Sequence, residues 1–134
     1  MRHAPSQADL VDCDVEEYYS YGFAQYGSGN WNEAADIFRL LCTKRPLEAR
    51  FWFGLGATLQ EAGTYTDALH AWAMAALLKN EDPYPHFHAA ECYLSLNDPK
   101  QALLAFKEVQ ERITAKHPLQ DKVSLLQEQW RGSW

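Results

Sequence analysis

Apolar positions along this chain recur at two spacings at once. Within short stretches they follow the three-to-four-residue spacing of an amphipathic helix, and over longer distances the pattern repeats every 34 residues. Laid against itself at that offset, the chain aligns Gly22 with Gly56 and Ala90, Ala34 with Ala68 and Ala102, and Phe38 with Trp72 and Phe106. Gly29 and Gly63 fall on Asn97, and Asn30 and Thr64 fall on Asp98. Five columns at one ungapped offset define a repeat, and a period of roughly 20–50 residues marks a solenoid.

Each column has a mechanical reading. Small residues at 22, 56 and 90 allow two helices to cross closely, and the alanines at 34, 68 and 102 face them from the partner helix. The aromatics at 38, 72 and 106 fill the space between successive hairpins. Gly29, Gly63 and Asn97 are residue types that accept the left-handed conformation of a helix C-terminal cap. Asn30, Thr64 and Asp98 then serve as N-caps of the next helix. Glu33 and Asp67 stand three residues beyond the first two, close to a capping box, and Pro99 takes the first helical position, where its missing N–H is harmless.

Each repeat therefore reads helix, tight turn, helix, with boundaries at 15–48, 49–82 and 83–116. Pro46 ends the second helix of the first repeat, Pro83 opens the third repeat, and Pro85 has to fit within that helix's first turn. A single hairpin cannot bury its own apolar face, so stacked repeats need a terminal cap. Leu119, Val123, Leu126 and Trp130 recur at helical spacing and predict a capping helix and tail over 117–134, with Asp121, Lys122, Glu128 and Arg131 facing out. Residues 1–14 are polar, weakly patterned and expected to be flexible. The predicted fold is all-α: three tetratricopeptide helical hairpins in a right-handed superhelix with a C-terminal capping helix.

Composition narrows the function more than the fold. Five Trp, seven Tyr and six Phe in 134 residues are more aromatic surface than a small core requires. The net charge of −6 and a longest basic run of only Lys44-Arg45 argue against a nucleic-acid partner. No stretch approaches the roughly 20 apolar residues that span a bilayer, and the opening residues lack the apolar core of a signal peptide, so no stable membrane association is expected. Cys13, Cys42 and Cys92 are odd in number and scattered, which suits a reducing cytoplasm better than a disulfide framework.

The first helix of each hairpin lines the inner surface of such a superhelix. In the first repeat Tyr18, Tyr21 and Gly22 fill the packing columns, which leaves Tyr19, Phe23 and Tyr26 as a stripe facing the groove. The same face carries Arg50, Phe53, Ala57 and Gln60 in the second repeat, and Tyr84, Phe87, Glu91 and Leu94 in the third, with His88 at its edge. An aromatic trough with one Arg and one Glu suits an extended peptide that has apolar anchors. Three anchors at roughly 1.5–3 kcal/mol each, less ordering costs, predict a releasable complex of about micromolar affinity. His88 and Cys92 lie one helical turn apart, but zinc needs three or four converging ligands and the sequence offers no others. No phosphate loop or nucleophile–base order is present, so neither catalysis nor a cofactor or metal is expected.

The wording inside the hairpins points further. Tyr19-Ser20-Tyr21-Gly22-Phe23-Ala24-Gln25-Tyr26 resembles the first-repeat signature of the class II type III secretion chaperones, which hold translocator proteins. Arg50-Phe51-Trp52-Phe53-Gly54-Leu55-Gly56-Ala57 is similar to the opening of that family's second repeat, and Pro85-His86-Phe87-His88-Ala89-Ala90-Glu91-Cys92 to the opening of its third. The resemblance covers about residues 15–113. It implies a bacterial cytoplasmic chaperone whose concave groove holds an extended N-terminal segment of a hydrophobic, pore-forming translocator before secretion. Members usually carry a longer helical segment ahead of the first repeat, often used for dimerisation, where about 14 residues stand here; a homodimer remains an expectation of the resemblance. Rival readings are a needle-subunit chaperone, which would cradle a helix, and a generic tetratricopeptide scaffold or adaptor. The carboxylate clamp of the heat-shock adaptors would need Lys and Asn where Tyr19 and Phe23 stand.

Overall fold

In the computed structural model residues 14–134 are described, so the expectation for the polar N-terminal segment falls almost wholly outside them. The described residues form seven helices: α1 (Val15–Gly27), α2 (Trp31–Lys44), α3 (Ala49–Glu61), α4 (Tyr65–Leu78), α5 (Tyr84–Ser95), α6 (Pro99–Gln110) and α7 (Pro118–Gln129). Helices α1/α2, α3/α4 and α5/α6 pair as antiparallel hairpins, each packs on the next, and α7 closes the end. The arrangement is the right-handed tetratricopeptide superhelix that the 34-residue period predicts.

The three tight turns are the same motif. Gly29, Gly63 and Asn97 have φ of 76°, 82° and 58°, the left-handed region. The next N–H in each case reaches back five residues: Asn30 to Gln25, Thr64 to Leu59 and Asp98 to Tyr93, at 2.8–2.9 Å. That is a Schellman cap, which satisfies the last carbonyls of the first helix while the same residue starts the second. The N-cap positions are as the sequence predicts, but only Asp98 caps through its side chain, accepting from the Gln101 N–H at 3.3 Å. The Asn30 amide donates instead to the Gln25 side chain at 2.7 Å. A residue already fixed by a Schellman turn can begin a helix without using its side chain.

The core follows the columns. Ala34, Ala68 and Ala102 are fully buried, and so, within 1% exposure, are Phe38, Trp72 and Phe106. Gly54, which the column argument leaves out, sits even closer to its neighbour than Gly22 does: a Cβ there would lie 2.5 Å from the Phe38 ring. The buried residues divide into one cluster from α1 to α4 with Cys92 of α5, and a second from α5 to α7.

Candidate functional site

Because the hairpins stack in register, residues 34 apart form rows across α1, α3 and α5 on the face these first helices share. The rows are Glu16/Arg50/Tyr84, Tyr19/Phe53/Phe87, Phe23/Ala57/Glu91 and Tyr26/Gln60/Leu94. Their chemistry changes from aromatic at α1 to polar between α3 and α5.

At the α1 end, Tyr19 and Phe23 meet edge to face at 4.9 Å, and both rings lean on Phe38 below. Phe23 is 37% exposed, a large apolar ring left open to solvent. Tyr26 stands farther along, half-buried against the Trp31 ring at 5.4 Å. Burial pushes the Tyr19 and Tyr26 phenols above their usual range, so both stay neutral donors at ordinary pH.

Arg50 is not a free cation in the trough. Its guanidinium lies over the Tyr19 and Phe51 rings at 4.7 and 4.8 Å, is hydrogen-bonded twice to Glu16, and stands 3.5 Å from the Glu48 carboxylate. The hydrogen bond from Arg50 holds the Glu16 carboxyl below its usual range. Arg50 thus ties the second hairpin to the first and forms part of the cleft wall.

That cleft, of about 570 Å³, is lined by Tyr19 and Phe23 of α1 and by Ala49, Arg50 and Phe53 of α3. Its far side comes from Ala75 and Leu78 of α4, the turn from Lys79 to Asp82, and Pro85. The volume lies within the range of sites that enclose a small molecule or several side chains. The α4–α5 wall is what sequence reasoning missed, since nothing in the spacing of a turn says which cleft it will border.

Between α3 and α5 the trough becomes a hydrogen-bonded chain. The Trp72 indole N–H donates to Gln60 Oε1 at 3.0 Å, Gln60 Nε2 donates to Glu91 Oε1 at 3.0 Å, and His88 Nδ1 meets the same oxygen at 2.7 Å. The His88 ring stacks on Trp72 at 4.8 Å and meets Phe53 edge-on at 5.9 Å. Ala57 is half-buried against the core, and Tyr84, 37% exposed, stands near both His88 and His117.

Two of the expected groove residues are elsewhere. Phe87 and Leu94 are 4% and 7% exposed and belong to the core cluster that holds Leu119 and Val123 of the capping helix. The rows that are partly open at α1 and α3 are closed at α5, where Leu119 and Val123 of α7 join the same core cluster. No group of three or more possible metal ligands occurs among the described residues. Cys92 is fully buried, and the His88 Nδ1 is engaged by Glu91. Burial raises the Cys42 and Cys92 thiols to about 12. Among the described residues no helix is long and apolar enough to cross a membrane.

Known proteins share both the repeat and the fold. The tetratricopeptide-repeat family model matches residues 15–45 and 51–82. The low calcium response locus protein H of Yersinia pestis is 36% identical over 102 residues, which are 76% of this chain and 61% of that protein; the chain thus spans less than two thirds of that curated relative. The Yersinia enterocolitica type III secretion chaperone SycD, solved in complex with a peptide of the translocator YopD, superposes with a TM-score of 0.83 at 34% identity, covering 89% of this chain and 93% of SycD. PcrH, solved in complex with the chaperone binding region of PopB, gives 0.75 at 34% identity, covering 90% of this chain and 96% of PcrH.

Proposed function

The chain belongs to the tetratricopeptide-repeat chaperones of type III secretion translocators, and from that membership we propose that it binds an extended N-terminal segment of a translocator in the trough along α1, α3 and α5. It acts as a binding module without a catalytic step, in the bacterial cytoplasm, and keeps a hydrophobic client soluble until secretion. The observation that carries this reading is the open aromatic cleft, which Phe23, 37% exposed, and the half-buried rings of Tyr19 and Phe53 line. Thiols held protonated by burial support a role without nucleophilic chemistry.

The binding set is narrower than the periodicity alone suggests. Tyr19, Phe23 and Phe53 supply apolar anchoring, Arg50 holds the cleft wall, and Gln60, Tyr84, His88 and Glu91 supply the polar edge. Ala57 leaves room for the client backbone between them. Tyr26, tied to Trp31, borders the trough, and Phe87 and Leu94 support it from below.

Co-expression with a translocator encoded beside this chain tests the proposal. Phe23→Glu places a carboxylate on an exposed ring position and should leave the helical circular dichroism spectrum unchanged while client solubility falls severalfold. Equal solubility of the client with wild type and with the Phe23→Glu, Tyr19→Ala double variant would show that the cleft is not where it binds.

A further inference from the structure

The hydrogen-bond chain at the α3–α5 end of the trough has only one possible direction. Indole nitrogen is a donor and never an acceptor, so Trp72 fixes Gln60 with its oxygen toward the indole and its NH₂ toward Glu91. A carboxylate only accepts, so His88 Nδ1, 2.7 Å from that same Glu91 oxygen, carries the proton. A neutral imidazole protonated at Nδ1 has a bare lone pair at Nε2. His88 Nε2 has no hydrogen-bond partner among the described residues, and it is not sealed from solvent: the buried, unpartnered ring nitrogen of this fold belongs to His86. Stacking on Trp72 and edge contacts with Phe53 and Phe87 hold the ring in place.

We infer that His88 is a specificity-determining residue of the trough, whose Nε2 accepts a hydrogen bond from an N–H or O–H of the bound segment. The inference rests on the binding reading above and adds to it a chemical requirement on the client. An extended peptide presents N–H and C=O groups alternately along each edge. A carbonyl placed over Nε2 would meet a lone pair, and an N–H would complete the chain begun at Trp72. His88 therefore sets the register of the segment, so that a slip of one residue replaces an attraction by a repulsion. The aromatic cleft beside it has no comparable preference, because ring surface accepts many apolar side chains.

The test uses synthetic peptides covering the chaperone binding region of PopB and a peptide of YopD as probes, with fluorescence titration and imidazole nitrogen-15 spectra above pH 7.5. The expected spectrum has Nδ1 protonated throughout and Nε2 unprotonated, with the Nε2 signal moving into the hydrogen-bonded range when peptide binds. His88→Asn keeps an amide where Nδ1 stood and lacks a group at Nε2; His88→Gln does the reverse. Both lose the stacked ring, and they differ at two places: His88→Gln keeps a group at Nε2 for the client, and His88→Asn keeps the contact to Glu91. An Nε2 contact made by the client therefore shows as His88→Gln binding more tightly than His88→Asn, by up to about the fivefold to tenfold that one hydrogen bond is worth. Protonation of Nε2 in the complex, an unmoved Nε2 signal, or equal affinities of the two variants would overturn the inference while leaving the trough reading intact. Failure of both peptides to bind the wild type would overturn the trough reading and this inference with it.

Discussion

At the scale of single residues, the register that builds the trough also decides where glycine is required. Gly54 and His88 occupy the same position of successive repeats, facing Phe38 and Trp72, which also correspond. At the second repeat the Phe38 ring presses so closely on α3 that a Cβ on Gly54 would lie within 2.8 Å of three ring atoms. At the third, His88 lies flat on the Trp72 ring. Phe38 is fully buried and cannot swing away. Gly54→Ala should therefore lose stability: overpacking costs roughly 1–3 kcal/mol and the gain in helix propensity returns up to about 1 kcal/mol. Gly27→Ala is the control, since nothing lies within 4 Å of a Cβ at that position. Urea denaturation should show Gly27→Ala as neutral or slightly stabilised and Gly54→Ala with a clearly lower midpoint at unchanged slope.

At the scale of elements, the Schellman turns make the hairpins, and the third uses Asn97 where the others use glycine. An Asn at φ 58° tolerates the left-handed region better than most residues, and a residue without a polar side chain there costs roughly 1–2 kcal/mol. Asn97→Ala should lower thermal stability by about 1 kcal/mol, whereas Asn97→Gly should be neutral or better; equal losses would show that the side chain of Asn97, and not its backbone, matters. These turns were legible in the sequence because one backbone conformation admits few residue types. The helix-crossing columns were legible for a similar reason, since a shared steric demand recurs at each repeat. Phe87 and Leu94 were misplaced because their fate depends on which element comes next. The period treats every repeat as internal, and α5 is covered by a cap. Arg50 reads as a groove cation in its own repeat and becomes a wall residue only when Glu16, one full repeat earlier, is counted. The α4–α5 side of the cleft could not be read at all, because turns carry no periodic signal.

At the scale of the whole molecule, the two core clusters meet where α4 passes to α5 and α6, and this seam contains the one buried side-chain nitrogen without a partner among the described residues, His86 Nε2. Burial, and then the charge of Arg112, lower the His86 pKa, against smaller opposing effects of Glu108 and Asp82. Arg112 itself staples α6 to the turn, donating from Nε to the Asn80 carbonyl at 2.6 Å and to Glu108. Protonated His86 would place a second cation beside it, with no acceptor for the new N–H. The unfolded chain binds this proton more readily than the folded one, so the unfolded state takes up protons first as pH falls through the ordinary histidine range near 6.5. The stability associated with neutral His86 is therefore complete above that range and declines below it, down to the lowered folded value. Glu16 does not obscure the effect, since its own contribution is lost only below the usual carboxylate range. Urea titrations between pH 7.5 and 5.5 should show the wild type losing stability, and His86→Gln, which cannot take a proton, losing less. Hydrogen exchange at the lower pH should place the extra opening in α5 and α6, next to the seam, and not in α1 or α2. A parallel decline in the two proteins would mean that the proton acts elsewhere. Opening confined to α5 and α6 would also loosen the helix that carries His88, so the proton that destabilises the seam should weaken the peptide binding proposed above.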